Sequence, residues 1–298
     1  MLDEFLGKIL DWFDSESNIL WLKSHIIHFI IIVLLIVLLV CFLRYISSKR
    51  RRSHLMFHIH HLIYKLGFRR TMSRRWVGRT HVHECYDPLV DFLPHKHIIF
   101  NDETIEQPNL IRKKVLFKLY KIADRLPDGV NLLILQTYRS KSMMNEKWEQ
   151  VINEITAENP EIGRHEAIKL AKFKAEDPKN SIGGHTTGGA VDVALCDDNG
   201  VMFDFGTRFH EYSTATWTKS RHITKAQAKN RRTLVRVMRR QGFVNFPAEW
   251  WHFSYGDRTW AAYKGKRHGG IYGAAEVEMD GKYNYTIPVH RVTHDSNK

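Results

Sequence analysis

The stretch Gly183-Gly184-His185-Thr186-Thr187-Gly188-Gly189-Ala190-Val191-Asp192 sets a histidine seven residues ahead of an aspartate, with a glycine-rich turn running into an apolar segment. A turn that feeds a β-strand can aim both side chains at one point, and neutral imidazole and carboxylate are suitable zinc ligands. A lone histidine among glycines is ordinarily a surface loop residue. Asp192 is harder to dismiss. Inside Ala190-Val191-Asp192-Val193-Ala194-Leu195 it is a charge within a buried strand, costly unless it is paired or metal-bound.

Downstream, Glu249-Trp250-Trp251-His252-Phe253 offers what such a site still lacks. A zinc hydrolase needs three protein ligands, an open position for water and a carboxylate that takes and returns a proton. His252 supplies the third ligand and Glu249 the acid/base. Residues three apart in a regular strand point to opposite faces, so the pair works together only if Glu249 sits at a turn, bulge or strand end. The competing reading is an aromatic core strand with an incidental Glu and His. Arg139, after the apolar run Val130 to Leu135, can hold an oxyanion or a substrate carboxylate by charge-assisted hydrogen bonds, or simply be a surface arginine.

Around these islands the pattern alternates between helix and strand. Helices are expected over Asn109–Leu126, opened by Pro108, over 141–157 and 161–175, and from the capping box Thr224/Gln227 to about Arg240. Strands are expected over Val130–Leu135 and Ala190–Leu195, with a strand-like aromatic run from Phe243 to Tyr255. No glycine fingerprint follows a strand, so the expectation is an α+β domain with a small antiparallel sheet flanked by helices rather than a dinucleotide-binding fold.

The chain of 298 residues carries a formal charge of +13, which read globally would point to nucleic acid. The charge is local, however. Residues 44–80 hold eleven Lys/Arg and no acid, while residues 1–43 hold two Lys against five acids. A juxtamembrane segment attracted to anionic lipid is the blandest reading of this cluster. Nucleic-acid binding has only charge and aromatics behind it, and the histidines His54, His58, His60 and His61 lack a partner carboxylate or thiolate at ligand spacing. Three cysteines are too few for a disulfide scaffold. They leave a Cys85–Cys196 bridge open without requiring one.

Ile26 to Leu43 is apolar except for His28 and long enough to cross a bilayer. An acidic leader and the following Arg44 and Lys49-Arg50-Arg51-Arg52 argue against a cleaved signal peptide. The expected organisation is an amphipathic segment over 1–24 (Leu2, Phe5, Leu6, Ile9, Leu10, Phe13), a transmembrane helix over 25–43, a basic juxtamembrane linker over 44–83 and a catalytic domain over 84–298. The positive flank favours a single-pass protein of the bacterial inner membrane with its C-terminal body cytoplasmic, a periplasmic body being the alternative.

Taken in order, Thr137-Tyr138-Arg139-Ser140, Gly183 to Asp192, Phe203-Asp204-Phe205-Gly206-Thr207 and Gly242-Phe243-Val244-Asn245-Phe246 through Glu249-Trp250-Trp251-His252 to Asp257 resemble the zinc D-alanyl-D-alanine dipeptidases of the vancomycin-resistance type. More broadly they resemble the zinc D-Ala-D-Ala peptidase family, which shares its fold with the hedgehog signalling domain. The resemblance spans roughly residues 84–275. It implies one zinc per chain on His185, Asp192 and His252, Glu249 as general base and acid, and Arg139 as stabiliser of the tetrahedral intermediate. It also implies hydrolysis of D-Ala-D-Ala or a short D-amino-acid peptide, with trimming of peptidoglycan stem peptides as the alternative and a tethered, non-enzymatic protein with a vestigial site as a third. Tyr138, Asp204, Glu211 and Trp251, in or beside these stretches, are candidates for substrate contact. The sequence departs from the family at Gly183 and Gly184, where Ser or Pro is more usual nearby, and at His210, where Asp is common.

Overall fold

The computed structural model describes residues 16–103, 109–174, 183–211, 213–275, 278–280 and 284–286, together with Glu4 and Gly7. The expected amphipathic segment therefore lies largely outside the described residues. The chain divides into two units, Met1–His58 and Ile59–Lys298. The boundary falls inside the stretch expected to be linker.

In the first unit, helix α1 (Glu16–Ser47) contains the apolar span. Lys23–Tyr45, 23 residues, is long and apolar enough to cross a membrane; its most apolar stretch has a mean hydropathy of 3.5, and none of that stretch is buried in protein. Helix α2 (Lys49–Lys65) follows, so the basic segment is helical over much of its length. In the second unit the end of α2 and the short helix α3 (Arg74–Gly78) are held by the chain's C-terminal part. His61 Nε2 lies 3.2 Å from Tyr263 O, Met72 N donates to Tyr263 Oη at 3.2 Å, and Trp76 and Val77 are buried.

The site rests on a five-stranded sheet of β2 (Ile98–Phe100), β4 (Asn131–Gln136), β5 (Ala190–Cys196), β7 (His252–Ser254) and β6 (Val244–Asn245), in that spatial order. Three pairings are antiparallel, as expected, whereas β2 joins β4 in parallel. A parallel neighbour needs a long crossover. Here it contains β3 (Leu110–Arg112) and helix α4 (Lys113–Ala123). The helix expected from Asn109 thus begins only at Lys113. Leu110–Arg112 pairs antiparallel with β1 (Leu89–Asp91) instead, because pairing satisfies backbone groups that an isolated first turn leaves open.

Strands β4 and β5 are buried along their whole length, so they read as continuous apolar runs rather than alternating ones. Helix α4 covers them with Val115, Leu116, Leu119 and Ile122, and helix α7 (Lys225–Arg240) with Leu234 and Met238. Each such side chain stabilises the fold by about 1.5–3 kcal/mol through burial. The α7 capping box forms as its sequence predicts. Helices α5 (Lys141–Glu158) and α6 (Arg164–Lys174) make a satellite core in which Trp148, Val151, Ile152 and Ile155 meet Ala167 and Ala171. The last helix among the described residues, α8 (Arg258–Tyr263), starts four residues after the end of β7. All three cysteines are free, which settles the open Cys85–Cys196 question.

Candidate metal centre

The turn ahead of β5 is built by glycines with specific work to do. Gly188 takes φ 66°, a left-handed value, and a Cβ there would stand 2.2 Å from Leu89 Cδ2. A Cβ on Gly189 would stand 2.5 Å from the Tyr255 carbonyl oxygen. The loop is tied down from several sides. Ala275 N donates to Thr186 O at 2.8 Å, and Arg112 Nε donates to Thr187 O at 2.7 Å. Arg112 is 3% exposed, forks onto both Glu84 carboxylate oxygens at 3.1 Å and also donates to Asp87 O and Gly273 O. Neither Arg112 nor Glu84 belongs to a motif, and nothing in the local sequence marks them. Their role follows from a contact across 75 residues of chain.

With the loop fixed, His185 Nδ1 sits 2.6 Å from Thr137 O. That carbonyl can only accept, so the proton belongs on Nδ1 and the lone pair on Nε2 is free to bind a metal. His185 Nε2 lies 3.3 Å from Asp192 Oδ2 and 3.2 Å from His252 Nδ1, and His252 Nδ1 lies 2.9 Å from Asp192 Oδ1. Among the described residues this is the group of His, Cys, Asp and Glu whose ligand atoms converge, all within 4.8 Å of one another. Tetrahedral zinc with ligands at about 2.0–2.1 Å would space them about 3.3 Å apart. The donor set and its spacing fit zinc.

Electrostatics favour the same charge pattern. Burial alone would raise the Asp192 pKa, but the facing His185 and His252 outweigh it and hold the carboxyl below the usual range. Burial also opposes charge on His252, yet Asp192, with Glu249 and Asp257 behind it, pushes its pKa up to about 9. The site is thus a concentration of negative field that a cation can satisfy.

The strand-like run from Phe243 to Tyr255 is two short strands joined by a six-residue turn, 246–251. Glu249 lies on this turn, three residues before His252 on β7, which removes the opposite-face problem. Asn245 Nδ2 braces it by donating to the carbonyls of Glu249 at 3.0 Å and His252 at 3.1 Å. Trp250 N donates to Thr216 O, and its indole donates to Thr207 Oγ1 while stacking on Phe205 at 4.2 Å. The 205–217 loop that receives Trp250 is gathered by Arg231, fully buried on α7, whose guanidinium donates to the carbonyls of Phe205, Ala215 and Trp217. Glu249 is near enough to His252 to raise its proton affinity. Arg139 follows β4, its guanidinium bonded to Gln136 Oε1 and its backbone N 3.4 Å from His185 O.

The other candidates are placed differently. Tyr138 is 1% exposed, packs with Leu89 and Leu110 and donates its phenol to Ala275 O. Trp251 is a core residue whose ring meets Phe209 and Trp250. Asp204 accepts from Gly206 N and Gln227 Nε2 beside the start of α7. Glu211 accepts from Arg208 N and Ser213 Oγ within its own loop. His210, in a left-handed conformation at φ 59°, stacks on Phe209 at 3.8 Å. Loss of hydration, with Arg139, His185 and Lys147 adding to it against the pull of Asp192, lowers its pKa to about 4.

A family model described as D-ala-D-ala dipeptidase, Peptidase_M15, matches residues 105–268, more than half of the chain and all of the site. The chain belongs to this family. Like the Peptidase_M15 enzymes it is a zinc peptidase. It is similar to a D-alanyl-D-alanine dipeptidase of Synechocystis sp., with 24% identity over 221 residues covering 63% of this chain and 89% of the relative. It is also similar to one from Enterococcus faecium, 30% identical over 138 residues, covering 44% of this chain and 65% of the relative. Among solved structures it is similar to a vancomycin resistance D,D-pentapeptidase VanY E175A mutant in complex with Zn(II), with 19% identity, coverage of 66% and 96%, and a TM-score of 0.33.

Proposed function

We propose that this Peptidase_M15 member hydrolyses the D-Ala-D-Ala dipeptide to two D-alanines, with His185, Asp192 and His252 as zinc ligands. The observation that carries the reading is the convergence of those three ligand atoms beside a turn that brings Glu249 to His252. When bound, zinc supplies Lewis acidity toward the scissile carbonyl and toward water. Glu249 accepts the proton of the attacking water and returns it to the leaving amine. Arg139, held by Gln136, places its charge where the tetrahedral oxyanion develops. Lys147 adds a second positive charge near His210, which suits a substrate that ends in a carboxylate.

A second reading, a carboxypeptidase that trims stem peptides, is favoured by His210 and Glu211. A neutral His210 and a Glu211 turned into its own loop give a substrate ammonium no counter-charge there, and a peptide acylated at that nitrogen needs none. The test is release of D-alanine by the full-length, zinc-replete chain in detergent from D-Ala-D-Ala and from an N-acylated peptide ending in D-Ala-D-Ala. Faster turnover of the free dipeptide supports the first reading. Turnover of the acylated peptide alone replaces it with the second.

The span Lys23–Tyr45 anchors the enzyme in a bacterial inner membrane in a single pass, and the basic residues beyond it bind anionic lipid on the cytoplasmic side. Reporter fusions at the C-terminus test this sidedness. A periplasmic C-terminus would reverse the orientation and strengthen the wall-peptide reading.

A further inference from the structure

His252 faces the metal position with Nδ1, so its Nε2 must keep a proton for the ring to serve as a neutral ligand. What accepts that proton lies behind the ring. Ser254 Oγ is 3.4 Å from His252 Nε2. Asp257, 0% exposed, uses Oδ1 to cap α8 by accepting from Trp260 N at 2.7 Å. Its Oδ2 is buried and makes no hydrogen bond of full geometry, the Ser254 hydroxyl being the side-chain donor that faces this carboxylate. A Cβ added at Gly184 would stand 3.1 Å from that Oδ2, 3.5 Å from His252 Nε2 and 3.0 Å from Ala190 Cβ, so the three groups border one small space. A lone buried carboxylate oxygen is costly unless something donates to it.

We propose that Asp257 is a positioning residue for the metal centre: its Oδ2 accepts the proton of the Ser254 hydroxyl, whose oxygen accepts the Nε2 proton of His252, and this commits Nδ1 to the metal. The same carboxylate thereby joins the start of α8 to the ligand on β7. It also gives a reason for Gly184, since a side chain there would fill the space between Asp257 and the His252 ring. Outer carboxylates of this kind fix the tautomer and raise the basicity of a ligating imidazole. The inference rests on the assignment of His252 as a zinc ligand.

The two roles of Asp257 can be separated by substitution. Asp257→Asn preserves an N-cap oxygen, but its amide then sets an N–H donor against the Ser254 hydroxyl, which can no longer donate away from His252 Nε2–H. Asp257→Ser keeps a cap and removes the opposing group without adding a donor. Zinc affinity of the full chain in detergent is measured by competition with a chromophoric chelator. The visible absorption of the Co(II)-substituted protein and the melting temperature of the metal-free protein are recorded alongside. The expected result is a zinc Kd about 10- to 100-fold weaker in Asp257→Asn, shifted Co(II) bands, and a smaller loss in Asp257→Ser despite similar metal-free melting. If Asp257→Asn does not fold, Ser254→Ala, which leaves the cap intact, is expected to weaken zinc binding several-fold. A zinc Kd within twofold of wild type in Asp257→Asn, or in Ser254→Ala when that variant stands in, overturns the proposal. So do affinity losses in both Asp257 variants that merely track their melting temperatures. A wild-type chain that binds no zinc overturns the ligand assignment itself, a result distinct from a wild type that binds and an Asp257→Asn that binds as well.

Discussion

Asp192 and His252 are direct partners in the antiparallel β5–β7 ladder, with His252 Nδ1 2.9 Å from Asp192 Oδ1. Opposed residues in such a ladder have Cα atoms only about 4.5–5.5 Å apart, which puts their side chains on one face within reach of a shared ion. Register therefore joins two of the three candidate ligands, and a slip of one residue would turn one of them to the opposite face. The glycine turn before β5 brings the third.

Removal of metal tests this arrangement directly. Exhaustive chelation is expected to abolish peptide hydrolysis and to lower the melting temperature, because zinc binds the folded site and not the unfolded chain. Added zinc should restore both. Asp192→Asn should bind zinc at least about tenfold more weakly, as read by chelator competition, since it removes the only charge among the three ligands. Wild-type affinity in that variant would remove Asp192 from the ligand set.

Glu249→Gln separates chemistry from binding. The amide cannot accept a proton, so kcat should fall by about 10²- to 10⁴-fold. Zinc stoichiometry, measured by atomic absorption on the same sample, should remain that of wild type. A variant retaining more than a tenth of wild-type kcat would show that another group moves the proton.

Arg112 and Glu84 act at a distance from the chemistry. Arg112→Leu removes the counter-charge of the Glu84 carboxylate, which keeps only the backbone donors Tyr86 N and Gly273 N, and leaves the Thr187, Asp87 and Gly273 carbonyls without their guanidinium donor. Breaking a buried pair by deleting one partner typically costs about 3–5 kcal/mol. Denaturant titration should show a loss of that order, with weaker zinc binding because the Thr187 carbonyl belongs to the His185 turn. A neutral effect would mean that the loop is held by its glycines and Ala275 alone.

Arg231→Met should act on the opposite wall. The methionine fills much of the volume but donates nothing to the carbonyls of Phe205, Ala215 and Trp217, so roughly 2–4 kcal/mol of stability is expected to go. Hydrogen exchange should rise first in the loop 205–217 and in the 246–251 turn that leans on it through Trp250.

The cysteines give a pH-dependent test. Cys196 is buried, and burial, with Asp197 and Asp198 nearby, pushes its thiol up to about 11, while Cys85 is exposed. Under native conditions alkylation should modify Cys85 and spare Cys196. An unfolded thiol ionises near about 8.5, so the unfolded chain releases this proton first. The Cys196 contribution to stability should therefore be full below about 8.5 and decline as pH rises toward 11. Melting curves at pH 8 and pH 10 should differ less in Cys196→Ala than in wild type.

Local pattern was enough for much of this. The apolar span, the α7 capping box and the buried strands β4 and β5 each declare themselves within a short window, because periodicity, capping and burial are properties of neighbouring residues. His185 and Asp192 were legible for the same reason: glycines before a strand and a charge within one are both local anomalies. Asn109–Leu126 misleads, since Leu110, Ile111 and Arg112 satisfy a helical period but are claimed by β1. Tyr138 and Trp251 sit in motif stretches yet are absorbed by packing.

The residue types at the centre, the order of the motifs and the apolar span were thus decided along the chain. Whether Glu249 and His252 could cooperate was not, because it depends on a break between β6 and β7 that Asn245 and the 205–217 loop hold open from outside. Arg112, Glu84 and Arg231 carry no local mark at all, and Asp257 closes a motif stretch that does not reveal what it does. Their meaning comes from burial, which makes an unpartnered charge costly and so dictates its partners, and those partners lie mostly far away in the chain.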